Sequence, residues 1–202
     1  NPPANVDPTK LKRAAFIGAA SAYFLANAQA AQAGPILRVI QVNSLRRTAT
    51  MLTRRAVLDQ GDAANLVRQH LWYERTLVDS MERFFRLPEV TRSSAKTFLD
   101  NLERQVGPMG PAPAAQNDHR VVFRRRSDLE GPVTAFGYDY FTDQYKVPRE
   151  GPIPLLAYRG LRGSGGEYAY EVLNLVDGRR NVQEICDAVS ATYGPVPVDM
   201  VL

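Results

Sequence analysis

The apolar positions of the first helix that this chain can form go all the way round it. Asp7 is a good N-cap, and Pro8 at the first helical position has its ring already at a helical φ. Leu11, Ala14, Ala15, Phe16, Ile17, Ala19, Ala20, Ala22, Tyr23, Phe24 and Leu25 follow on all sides of the helix. A helix without a polar face has to be buried on every side. No strand or helix precedes it to provide cover, so residues 1–33 read as the closing helix of an upstream domain, enclosed by protein that the chain does not contain.

Beyond it the pattern becomes amphipathic. Gly34-Pro35 is expected to end the first helix and start a second. In that second helix Ile36, Val39, Ile40, Leu45, Ala49, Leu52 and Ala56 keep a three-or-four spacing, with Arg46-Arg47 and Arg54-Arg55 on the polar side. Gly61 breaks it and Asp62 caps the next. The third helix has the clearest period (Ala63, Leu66, Val67, Leu71, Leu77, Val78, Met81, Phe84, Phe85) and runs to about Leu87, where Pro88 stops it. Ser93 or Ser94 then caps a short fourth helix with Ala95, Phe98, Leu99, Leu102 and Val106 inward. Amphipathic helices joined by short loops predict an antiparallel bundle over residues 35–106.

Residues 107–117, rich in Pro, Gly and Ala, form a linker. The segments 119–124, 132–138 and 153–158 are short, rich in β-branched and aromatic residues, and flanked by Gly or Pro, which predicts edge-type strands or extended crossings. Residues 118–166 are thus an extended or β connector, and Gly160 to Gly166 a flexible joint. From Glu167 to Leu202 helical periodicity returns: Tyr168, Val172, Leu173 and Val176 line one helix, and Asp177-Gly178 makes a turn. Asn181 with Glu184 forms a capping-box start, and Val182, Ile185, Cys186 and Val189 are buried next. Val198 to Leu202 reads as the first turn of a further helix. The fold class is mainly α (α+β): a helical bundle, an extended connector and a last small module.

Two segments resemble known families. Asn5-Val6-Asp7, Leu11 and an alanine-rich helix closing on Leu25-Ala26-Asn27-Ala28 resemble the last helix of the catalytic domain of bacterial double-zinc aminopeptidases related to the transferrin receptor. The match carries over Val6, Asp7 and Leu11 as capping and packing positions, and no catalytic residue. In that family a His-Thr-x-x-Asp-Thr segment with the final metal-binding histidine comes shortly before, and this chain does not contain it. Leu173-Asn174-Leu175-Val176-Asp177-Gly178-Arg179-Arg180, then Val182, Glu184-Ile185 and Tyr193-Gly194, resemble a winged-helix module of the PqqD-like peptide-carrier type, also found C-terminal to some zinc aminopeptidases. This resemblance implies a third helix and a β-wing beyond Leu202, so residues 167–202 are a truncated winged helix.

Composition changes this picture little. The hydrophobic fraction of 45% excludes a wholly disordered chain. Ala14 to Ala26 is too short to span a bilayer, so no membrane span is expected. Cys186 is the only cysteine, and the net charge of +4 comes mostly from arginine. Arg124-Arg125-Arg126 is the one basic run and lies outside the last module, which itself carries Arg179 and Arg180 against Glu171, Asp177, Glu184, Asp187 and Asp199. Nucleic-acid binding draws on positive charge, so an acidic module disfavours it.

Candidate chemistry is sparse. A double-zinc site needs about five His, Asp and Glu ligands, and only His70 and His119 exist. His70 and Glu74 have the i, i+4 spacing of half a metal site, but a polar helix face is the better reading. Asp118-His119 reads as a solvated strand start, and Cys186 as a buried structural thiol. Gly160 to Gly166 lacks the Gly-Lys-Ser/Thr ending of a phosphate-cradling loop. The aromatic run from Phe136 to Tyr145 suits a lid over the bundle or a strip that binds substrate or partner. No catalytic, cofactor-binding or metal-ligating residue is assigned within this span.

The expectation is therefore the C-terminal accessory region of a zinc-dependent aminopeptidase. Zinc and the hydrolysis of N-terminal peptide bonds belong to the upstream domain. The partners are that domain, its peptide substrate and a second protomer paired through the helical bundle. The alternative is a non-enzymatic adaptor that binds a peptide or protein through the winged helix. Relatives of these peptidases are often exported, which leans the expected compartment that way.

Overall fold

The computed structural model describes residues 7–107, 112, 114–126 and 153–202. Among these the chain is mainly helical, as the periodicity predicts. The helices are α1 (Pro8–Ala26), α2 (Ala33–Arg55), α3 (Gln60–Ser80), α4 (Glu89–Val106), α5 (Pro154–Ala157), α6 (Gly165–Leu175) and α7 (Val182–Tyr193). An isolated antiparallel bridge between Arg159 and Ser164 is the β pairing among the described residues. The chain divides into two compact units, Asn1–Ala49 with Trp72–Val106, and Thr50–Leu71 with Gly107–Leu202.

In the first unit α1 starts as predicted. The Asp7 carboxylate accepts the backbone N–H of Thr9 at 2.8 Å and of Lys10 at 3.4 Å, with Pro8 in the first turn. It ends at Ala26, earlier than Gly34, because the Asn27 side chain and backbone N–H both turn back onto the Tyr23 carbonyl. Gly34 and Pro35 instead lie inside the first turn of α2, where a missing N–H leaves no helical bond unmade. α4 begins at Glu89, before Ser93 and Ser94: the Pro88 carbonyl accepts from Thr91 and Arg92 and sets the first turn. The core joins Ala33 and Leu37 of α2, Val78 of α3, Met81, Leu87 and Ala95 of α4, with Ile36, Ile40, Phe85 and Leu99 packed against it.

In the second unit α3 starts earlier than predicted. Asp59 is the residue whose side chain accepts an N–H, that of Asp62 at 2.9 Å, so Gly61 sits in the first turn and does not break it. The core contains Leu155, Tyr168, Val182, Ile185, Cys186, Val189, Val196 and Val201. The expected strand at 153–158 is largely a short helix, α5, since Pro154 has a helical φ and donates nothing to a ladder. The strand at 119–124 is also not formed. Asn117–Arg120 is a 3-10 turn, and the Val121 and Phe123 carbonyls accept single bonds, from Val182 N–H at 3.1 Å and Gly178 N–H at 3.2 Å. The third predicted strand, 132–138, lies outside the described residues.

The expected flexible joint is a packed corner. Gly160 N–H bonds the Gly163 carbonyl at 3.0 Å. Ser164 and Glu167 close a capping box at the start of α6. A Cβ on Gly165 would lie 2.2 Å from the Leu155 carbonyl oxygen, and one on Gly160 1.9 Å from the Tyr168 hydroxyl oxygen. Tyr168 is fully buried, edge-on to Tyr158 at 5.3 Å, and its hydroxyl donates to the Gly194 carbonyl at 2.9 Å. α7 begins on the predicted capping box, with Asn181 accepting from Glu184 N–H at 2.9 Å and the Glu184 carboxylate accepting from Asn181 N–H at 2.9 Å. Its four predicted core residues are buried.

Candidate functional site

The feature that stands out chemically is a surface. None of the 19 residues of α1 is buried. Phe16 and Tyr23 are each 74% exposed, Ile17 is 64% exposed, and Leu11, Phe24 and Leu25 are open as well. Phe16 and Tyr23, and Ile17 and Phe24, are seven residues apart, so each pair repeats on one side of the helix after about two turns. The enclosure expected for this helix is not supplied by the described residues of the chain. Exposed apolar side chains grouped in this way are common where a protein meets a partner. The start of α1 also carries Lys10, Lys12 and Arg13 and no acidic residue in its first turn. Positive charge there opposes the helix dipole, and Asp7 offsets only part of it.

Glu74 is not part of a solvated face. Its side chain is 1% exposed, and Arg47 holds it through two parallel bonds of 2.7 Å, Nε to Oε1 and Nη2 to Oε2. The hydrogen bond to Glu74 is the main reason that the Arg47 pKa is raised. Sequence spacing could not find this pair, because its members stand 27 residues apart on different helices. His119 is in a 3-10 turn, with Nε2 3.0 Å from Asp199 Oδ1, and not at a strand start. Cys186 is buried, bonds the Val196 carbonyl at 3.3 Å, and has its thiol pushed up to about 11 by burial, which keeps it protonated and unreactive at neutral pH.

The arginine run does not stand apart from the last module. Arg125 donates from Nε to the Val176 carbonyl at 3.1 Å and from Nη2 to the Asn174 carbonyl at 2.6 Å. Asp187 is 8% exposed and is also bound from a distance: Asn65 donates to its carbonyl and Arg68 to its Oδ2, each at 2.8 Å, while Gln183 donates to Oδ1. The aromatic run 136–145 lies outside the described residues.

Among the described residues no group of three or more His, Cys, Asp and Glu side chains is placed to hold a metal ion. No described helix is long and apolar enough to cross a membrane. No family model, curated protein or solved structure matches the chain. The exposed helix and the two cores are therefore what a functional reading has to start from.

Proposed function

We propose that this chain is the C-terminal accessory region of a double-zinc aminopeptidase, and that α1 docks it onto the catalytic domain. The observation that carries the reading is the all-round apolar surface of α1, exposed along its length. Burying a Phe, Ile or Leu side chain gains about 1.5–3 kcal/mol, so such a helix gains most by entering a protein interior. The resemblance of Val6, Asp7, Leu11 and the Leu25–Ala28 close to the last helix of that peptidase domain supplies the identity of the interior. In this reading the zinc ions and the hydrolysis of N-terminal peptide bonds belong to the catalytic domain. The two cores described here brace it, pair protomers or limit access to it. The alternative is a non-enzymatic adaptor that binds a peptide or protein partner through residues 167–202, read as a winged helix.

The test uses protein that carries this region together with the domain preceding it. Bound zinc and release of N-terminal residues from peptides are expected. Phe16→Asp with Ile17→Asp should lower its stability by more than about 3 kcal/mol, since two apolar contacts are lost and two charges buried. Absence of zinc and of peptidase activity would overturn the enzyme assignment in favour of the adaptor. A double variant as stable as the parent would overturn the docking role of α1.

A further inference from the structure

Arg124, Arg125, Arg126 and Arg179, around Val176 and Gly178, line an open cleft of about 570 Å³ in the second unit. Small-molecule sites span roughly 300–1,000 Å³. The cleft is held by specific contacts. Arg125 reaches the Asn174 and Val176 carbonyls at the end of α6, where the helix dipole favours a cation. The Phe123 carbonyl is tied to Gly178 N–H. Gly178 has φ +75°, and a Cβ there would lie 2.9 Å from Arg124 Cγ, so the glycine lets the arginine stem lie directly over the turn.

Asp177 is the carboxylate among the lining residues, and it is already engaged. Its Oδ1 accepts the N–H groups of Arg179 and Arg180 at 2.8 and 2.9 Å, and its Oδ2 accepts from Arg180 Nη1 at 3.0 Å. Those backbone bonds hold its pKa below the usual carboxylate value. Arg124 and Arg179 thus line a cavity whose one carboxylate already has partners. A guanidinium fork matches the oxygens of a phosphate or carboxylate in pairs.

We propose that this cleft binds a small ligand bearing two or more anionic oxygen groups, phosphate or carboxylate, with Arg124 and Arg179 as its donors and Arg125 as a fixed positive wall. The ligand is compact, because residues 168–202 carry Glu171, Glu184 and Asp199 outside the cleft against Arg180 alone, Asp187 being paired with Arg68. A long polyanion would meet that repulsion.

Calorimetric titration of the full chain with inorganic pyrophosphate, and separately with citrate, tests this at about 0.15 M salt, where the screening length is about 8 Å. Binding of one ligand per chain is expected, and the preferred probe tells phosphate from carboxylate. Arg124→Gln and Arg179→Gln should each weaken it about tenfold, whereas Arg83→Gln in the other unit should leave it unchanged. If a glutamine variant melts early, lysine at the same position keeps the charge, loses the fork, and should still weaken binding. Failure of both probes to bind, or equal binding by the Arg124→Gln/Arg179→Gln double variant, would overturn the site. Retention of duplex DNA at the same salt, lost in the double variant, would overturn the compact ligand in favour of nucleic acid. None of these outcomes bears on zinc content or on docking through α1.

Discussion

Arg47 and Glu74 are unequal partners. The carboxylate is enclosed, while the guanidinium side chain is 34% exposed and lies 5.5 Å from the centre of the Tyr73 ring. Removing the cation takes two bonds and the opposite charge from a buried carboxylate, but removing the anion leaves an arginine that water can reach. Arg47→Met is therefore expected to cost about 3–5 kcal/mol. Glu74→Gln should cost clearly less, about 1–2 kcal/mol, and urea unfolding of the two variants gives the comparison. Equal losses would mean that the pair is solvated from both sides.

At the level of single elements, the start of α6 separates two neighbouring glycines that look alike in sequence. Gly165 has the Leu155 and Leu156 carbonyl oxygens 2.2 and 2.3 Å from where a Cβ would be, and Gly166 has nothing within 4 Å. Backbone atoms cannot step aside as a flexible side chain can. Gly165→Ala should then destabilise the second unit by about 1–3 kcal/mol. Gly166→Ala should be neutral or stabilise by up to about 1 kcal/mol, because alanine suits a helix better. Thermal melts of the two variants decide it. The capping boxes at Ser164 and Asn181 hold α6 and α7 from adjacent residues, and for that reason local pattern could locate the second of them in advance.

Across the whole molecule, what the sequence disclosed was what short-range rules determine. The mainly helical class, the Asp7 cap and the buried face of α7 all follow from spacing within a few turns. What it could not disclose depends on partners far along the chain. The Asp187 carboxylate is satisfied by Arg68 from 119 residues away and its carbonyl by Asn65 from 122, and no periodicity encodes such pairings. Prolines misled at 153–158, where a composition suited to a strand forms α5. The arginine run looked detached from the last module because Arg125 meets carbonyls about 50 residues later. The candidate surface on α1 was legible as composition, though its state of exposure was not.

That exposure has a calorimetric consequence. The heat capacity of unfolding measures the apolar surface that becomes hydrated, and the side chains of α1 are wet before the transition begins. Its 19 residues should contribute almost nothing, a shortfall of roughly 0.2–0.3 kcal/mol/K against an ordinary domain of equal length. Differential scanning calorimetry should record that deficit for the chain alone and its disappearance once a partner sheathes the helix. A full heat-capacity increment without any partner would mean that α1 is already dry.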